Sequence, residues 1–210
     1  MRVEIWSDMV CPWCYVGTRR FEEAVARLRA QGTEVEVVHR AFELDPRVPA
    51  EGQDLADYLA RKFGGSGRVA QSHARLDLLG SDVGIDFRWE GKRRVNTFDA
   101  HRLATWALDV AGPEAQAALV QRLFLAYFTE NLDIADHEVL ARLAGEAGLD
   151  PVGAAEALAT GVGAETVRAE ELRADTLDIH AVPTFVVGDR FAIPGAQDVD
   201  TFVRLLAKVA

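Results

Sequence analysis

Cysteine is nearly absent from this sequence, with two residues in 210, so no disulfide framework can hold the fold together. No apolar run approaches the roughly 18 residues that a membrane-spanning helix needs. Positive charge is in deficit: 23 Lys and Arg against 33 Asp and Glu leave a net charge of −10. That balance argues against a general nucleic-acid or anionic-membrane binder, because the long-range field repels phosphates. No internal period recurs, which excludes a solenoid. The opening residues lack the basic region, apolar stretch and small-residue cleavage site of a secretory leader, so a cytoplasmic location is expected. What is present is ordinary for a globular protein, 49% apolar and 27% charged. A chain of this length buries roughly 70% of its unfolded surface and needs neither metal nor disulfide to hold its core.

The local patterns divide the chain in three. Residues 2–7 read as a short strand, residues 12–30 as an amphipathic helix and residues 34–41 as a second strand. In the helix, Phe21, Ala24, Val25 and Leu28 share one face, and Gly32 stands at its stop. This is a βαβ unit. From Phe42 to about Ile179 the pattern is helical. One stripe (Leu103, Trp106, Ala107, Val110) ends at Gly112-Pro113, and a second carries Leu119, Leu123, Phe124, Tyr127 and Phe128. Asp136 reads as a helix cap, Pro151 opens the next helix, and residues 164–178 supply another. Strand chemistry returns at Thr184–Val187 and Phe191–Ile193, and a last helix is capped by Asp198. Neither end can bury its own faces alone. The expected fold is therefore α/β, with residues 1–41 and 180–210 sharing one sheet and residues 42–179 inserted as an all-helical domain.

Both cysteines lie in Cys11-Pro12-Trp13-Cys14, directly after a strand. If Cys11 caps the helix, Pro12 takes the first helical position, where its fixed φ suits the turn and its missing N–H costs nothing. The Cys11 sulfur then faces unpaired backbone N–H groups and the positive end of the helix dipole, which favour thiolate over thiol. Cys14, one turn inside, is expected to be more buried and less ionised. The division of labour follows: exposed Cys11 attacks a disulfide, and Cys14 resolves the mixed disulfide. A zinc site would need two more ligands from His39, His73, His101, His137 and His180, none of which sits in a paired motif. No metal and no cofactor are expected.

Other features carry blander readings. Gly64-Gly65-Ser66-Gly67 lacks the strand and the Gly-Lys-Ser/Thr ending of a phosphate loop and reads as a joint between helices. Lys92-Arg93-Arg94 reads as solvated surface. Trp6 and Trp106 read as core, while Trp13 divides evenly between substrate contact and loop packing.

The sequence resembles the DsbA-like thiol–disulfide oxidoreductases of the FrnE type, in the thioredoxin-fold superfamily. The resemblance is carried by Ile5-Trp6-Ser7-Asp8, Cys11–Gly17, Phe42–Pro46, Asn96-Thr97 with Ala100-His101-Arg102, Leu123-Phe124 with Ala126-Tyr127-Phe128, Val182–Phe185 and Gly195–Gln197. It spans nearly the whole chain. It implies a thioredoxin-like fold with an inserted helical domain, and a cis Val182-Pro183 bond beside the dithiol. It also implies a substrate-binding surface made of Pro12, Trp13, Val182 and Pro183. Asn96, Thr97 and His101 match family positions, but capping and packing explain them equally well, and no catalytic role is assigned. Expected partners are disulfide-containing proteins or peptides, with glutathione as a further candidate. The alternative is a glutathione-dependent isomerase or transferase of the kappa or chromene-carboxylate isomerase type. Those relatives generally carry Ser at the Cys11 position.

Two departures stand out. The family's buried acid six residues before the first cysteine is replaced by Ile5, and alternation points Glu4 to the opposite face, so the proton acceptor for Cys14 is unassigned. Trp13 also replaces the His of DsbA's own dipeptide, and an uncharged indole gives the thiolate less support. The reduction potential is therefore expected above thioredoxin's roughly −270 mV and below DsbA's roughly −120 mV. Equilibration with glutathione buffers measures it, and a value at DsbA's end contradicts this reading.

Overall fold

The computed structural model describes residues 1–49 and 51–209. Strand β1 (Arg2–Ser7) leads into helix α1 (Pro12–Ala30) and strand β2 (Glu36–Ala41). A short strand β3 (Gln53–Asp54) precedes helices α2 (Leu55–Phe63) and α3 (Ser66–Ser81), and β4 (Arg93–Arg94) precedes α4 (Phe98–Phe128). Helices α5 (His137–Glu146), α6 (Pro151–Thr160) and α7 (Ala164–Thr176) follow. The chain closes with strands β5 (Thr184–Val187) and β6 (Phe191–Pro194) and helix α8 (Val199–Ala207).

The main sheet has the order β2-β1-β5-β6, so strands from the two ends of the chain do form one sheet. Central β1 pairs in parallel with β2 and antiparallel with β5, setting Ile5 opposite both His39 and Phe185. Side chains alternate across a strand, so Val3 and Ile5 face one way and Glu4 and Trp6 the other. On the first face α1 and α8 bury Phe21, Val25, Leu28, Phe202 and Leu206 against Val3, Ile5 and Phe185. Phe21, Phe185 and Phe202 meet as a trio with centroids 4.7–5.3 Å apart, and each such pair adds roughly 0.5–1.5 kcal/mol beyond its burial. On the second face Trp6 packs with Ala174, Ile179 and Val186. The largest cluster is built around Leu103, Leu119, Leu123, Phe124 and Phe128 of α4 and reaches across to Met9, Cys11, Cys14 and Tyr15. Tyr15 stacks on Phe124 at 5.0 Å, which fixes the start of α1 against the helical block.

The helical block follows its sequence signals. Asp136 and Asp198 cap their helices through side-chain hydrogen bonds, and Pro151 opens α6. The expected break at Gly112-Pro113 is a kink inside one long element, with Gly112 at φ 84°, a conformation that favours glycine. Gly64 and Gly65 join α2 to α3. The insert also holds a two-stranded ladder, β3 with β4, which the apolar spacing did not signal. The basic run at Lys92-Arg93-Arg94 corrects another expectation. Arg93 is exposed, but Lys92 and Arg94 are only 3% and 9% exposed. Lys92 donates to the Tyr127 carbonyl and to Asn131 Oδ1, while Arg94 pairs with Asp45 and lies over the Tyr58 ring.

Edge strand β2 is met by side chains instead of another strand. The Gln116 amide accepts from the His39 N–H and donates to the His39 carbonyl, both at 2.9 Å. Glu170 accepts from the Ala41 N–H at 2.8 Å. Glu4 sits between Arg40 and Arg173. Burial opposes its charge, but the Arg173 and Arg40 hydrogen bonds overcome this and lower its carboxyl to about 2.

Burial alone lowers the His39 imidazole from 6.5 to about 4. The unfolded chain takes up this proton first, so stability is full above pH 6.5 and falls as pH drops toward 4, by about 3 kcal/mol at most. Glu4 adds a second loss between pH 4.5 and about 2. His101 is shifted upward and works in the opposite sense, so the comparison that isolates His39 is wild type against His39→Gln. Urea midpoints measured between pH 6.5 and 4 should fall less steeply in the variant. Parallel curves contradict the assignment.

Candidate active site

The turn from β1 into α1 builds the site from local chemistry. The Cys11 N–H donates to the Asp8 carbonyl at 3.0 Å, which turns the chain out of the strand. Cys11 is the helix cap with φ −93° and ψ 112°, and Pro12 is the first helical residue. The Cys14 N–H donates to Cys11 Sγ at 3.3 Å, so one otherwise unpaired backbone donor of the helix start is aimed at the sulfur. The two sulfurs are not bonded to each other. Cys11 Sγ–H in turn donates to the Val182 carbonyl at 3.8 Å.

Val182-Pro183 is a cis peptide bond, as the resemblance implied. The close approach of this loop to α1 depends on Gly17. A Cβ there would meet Pro183 Cγ at 2.9 Å and the Ala196 Cβ at 3.2 Å. Val182 thus meets the Cys11 sulfur, and Pro183 lies against α1 at Gly17. Trp13, half-buried, packs against the helical cluster and lies under the Arg75 guanidinium, 5.5 Å from its ring centroid. Arg75 of α3 carried no signal in the sequence, because helical spacing alone does not say which exposed cation meets the dipeptide.

The expectation that Cys11 is exposed is corrected: it is 5% exposed and Cys14 is 0% exposed. The cause is tertiary cover, since Val182 and the cluster around α4 both close over the helix start. The asymmetry between the sulfurs is electrostatic. Burial, then the hydrogen bond and charge of Cys11, push the Cys14 thiol well above its ordinary value.

Beside Pro12 opens a cavity of about 180 Å³ lined by Asp8, Val10, Leu44, Tyr58, Phe63 and Arg94. Leu44 and Phe63 are half exposed at this cavity. A larger cavity of about 490 Å³ lies between α1, β2 and the second half of α4, lined by Thr18, Phe21, His39 and Pro113, and includes neither cysteine. Among the described residues, no group of three or more His, Cys, Asp or Glu side chains is placed to hold a metal ion. Nor is any helix long and apolar enough to cross a membrane.

The pattern of the DSBA-like thioredoxin domain family matches residues 2–207. The chain belongs to this family. Its α/β thioredoxin fold with a helical insert is shared with the probable DsbA oxidoreductase SCO1869 of Streptomyces coelicolor. That structure is 37% identical with a TM-score of 0.90, over 99% of this chain and 89% of the other. The uncharacterized protein YwbO of Bacillus subtilis is 29% identical over 99% of this chain and 96% of its own length. The cytosolic disulfide reductase DsbM of Pseudomonas aeruginosa, solved with GSH, shares the fold at 21% identity and a TM-score of 0.71, covering 100% and 98% of the two chains.

Within this DSBA-like domain the two thiols should be chemically distinct. Alkylation of the reduced protein, followed by peptide mass spectrometry, should modify Cys11 about tenfold or more faster than Cys14. Equal rates, or Cys14 first, contradict the asymmetry.

Proposed function

We propose that this protein is a thiol–disulfide oxidoreductase or isomerase, of the FrnE type, acting in the cytoplasm on protein or peptide disulfides. The observation that carries this reading is the environment of Cys11 Sγ: a helix N–H donor on one side, the Val182 carbonyl on the other, and Cys14 sealed one turn behind. Cys11 attacks one sulfur of a substrate disulfide, so an S–S bond forms to Cys11 and the other substrate sulfur leaves as a thiolate. Cys14 then attacks Cys11 Sγ, the bond to substrate breaks, and the dithiol is oxidised as the substrate disulfide gains two electrons. An isomerase cycle stops short of this second step and returns Cys11 when a different substrate thiol attacks.

Pro12, Trp13, Val182 and Pro183 form the substrate-binding surface in this reading. The Val182 backbone offers an extended substrate a place to pair, and Pro183 has no N–H to compete for the thiolate. The cavity beside Pro12, with Leu44 and Phe63 at its mouth, suits an apolar side chain near the substrate cysteine. Glutathione is the small-molecule partner that fits a reducing compartment, and DsbM, a fold relative solved with GSH, supports it. The glutathione-dependent isomerase or transferase reading is disfavoured because both thiols are present and Cys14 stands directly behind Cys11.

The test is reduction of a disulfide-bonded peptide with glutathione as the reductant. Cys11→Ser should abolish exchange, and Cys14→Ser should accumulate a mixed disulfide on Cys11. Full exchange activity in Cys11→Ser overturns the proposal. A glutathione-dependent isomerisation that survives Cys14→Ser favours the alternative.

A further inference from the structure

We propose that the cavity between α1, β2 and the second half of α4 is a second ligand site, taking a small neutral ring compound that carries a hydroxyl group. Neither cysteine lines it, so the site is separate from the dithiol and goes beyond the exchange reading. Its volume of about 490 Å³ falls within the roughly 300–1,000 Å³ of small-molecule sites. The three walls follow from local structure. Strand register sets Val37 and His39 on the α1 face of the sheet, beside Val3 and Ile5. Helix α1 faces them with Thr18, Phe21 and Val25, which share one side at helical spacing. The kink at Gly112 starts the third wall, where Pro113 and Ala117 bring only a ring and a methyl group. Most of the lining is therefore apolar, and exposed Ala26 and Arg29 stand at its rim.

Two polar groups of this lining point to a ligand. Among the described residues, five buried side-chain nitrogen or oxygen atoms lack a hydrogen-bond partner, and Thr18 Oγ1 and His39 Nδ1 are two of them. Thr18 is 0% exposed and His39 5%. A threonine inside a helix can bond the carbonyl four residues back, as Thr160 does with Glu156 and Thr176 with Leu172. Thr18 does not, which leaves its hydroxyl uncommitted. The His39 backbone is fully tied to the Gln116 amide, but Nδ1 of its ring is not tied to anything. Buried polar groups without partners cost stability, and two of them on one cavity call for a polar group between its walls.

The same residues decide what that group is. Burial keeps the His39 ring neutral at neutral pH, so it has no charge to offer a carboxylate. A hydroxyl both donates and accepts, so it can pair with the ring nitrogen in either tautomer and with Thr18. The charged side chains of the lining are otherwise engaged or exposed. Glu22 is met by Arg19 and Gln121, Arg29 donates to the Val35 carbonyl, and Glu114 is exposed. Phe21, held flat against Phe185 at 4.8 Å, supplies an aromatic surface that suits a ring.

The test is a titration of the whole reduced chain with 2-naphthol, followed by NMR chemical shifts. Binding should saturate with a Kd of roughly 0.1 mM and move the signals of Thr18, Val37 and Ala117. The carboxylate analogue 2-naphthoate should bind about tenfold or more weakly. Thr18→Val keeps the shape of the side chain and removes only an unpaired hydroxyl, so the free variant should melt no lower than wild type. It should nevertheless bind 2-naphthol about tenfold more weakly. Ala117→Phe, which fills the cavity, should lower affinity by about tenfold or more. Absence of saturable binding overturns the site, as does wild-type affinity in Ala117→Phe. So do shifts confined to Val10 and Leu55, which line the cavity beside Pro12 instead. Thr18→Val binding as tightly as wild type, or 2-naphthoate binding more tightly than 2-naphthol, overturns the neutral hydroxyl ligand. If Ala117→Phe does not fold, the shift map and Thr18→Val decide. None of these readouts depends on the dithiol, so loss of disulfide exchange would leave this site standing.

Discussion

A chain that starts a helix has backbone N–H groups with no partner inside it, and this site depends on standing one sulfur in front of them. Every neighbouring element serves that placement. Strand β1, held on both sides by β2 and β5, fixes where the chain emerges. The Asp8 carbonyl and Pro12 turn it into the helix without a gap. Gly17, one turn beyond Cys14, leaves room for Pro183 to press against α1, so Val182 reaches the Cys11 sulfur from the far end of the sequence. Tyr15 points the other way and stacks into the helical block, which stops the helix start from swinging. The dithiol is therefore shared between the sheet and the insert, with its two sulfurs in the same apolar cluster as Phe124 and Phe128.

Much of this was legible because the determining chemistry is local. The α1 span follows from apolar residues spaced at 3.6 and from a proline at the only helical position that welcomes one. The caps at Asp136 and Asp198 and the break at Gly112 follow from what those side chains do to their own backbone. The single sheet built from both ends followed from the size of the pieces, since neither a βαβ unit nor a ββα unit can cover its own faces.

What escaped depends on residues distant in the chain. Lys92 and Arg94 look like surface charges until Asn131, Tyr127, Asp45 and Tyr58 close around them. Cys11 looks exposed at a helix start until Val182 arrives 171 residues later. Asp8 is a similar case. It is a lone charge between Ser7 and Met9, and only its burial beside His101 separates it from an ordinary turn-forming aspartate.

The Gln116 amide has a consequence for how copies of this protein meet. An edge strand with free N–H and C=O groups is a template for another strand, and proteins that leave one bare risk adding neighbours end on end. Gln116 occupies both backbone groups of His39, and Glu170 takes the N–H of Ala41. The side chains of two helices thus plug the border of β2 as a further strand would, but without offering a new border of their own. The kink at Gly112, after which the helix that carries Gln116 runs on beside β2, thus helps close the His39–Ala41 stretch of this border to a further strand.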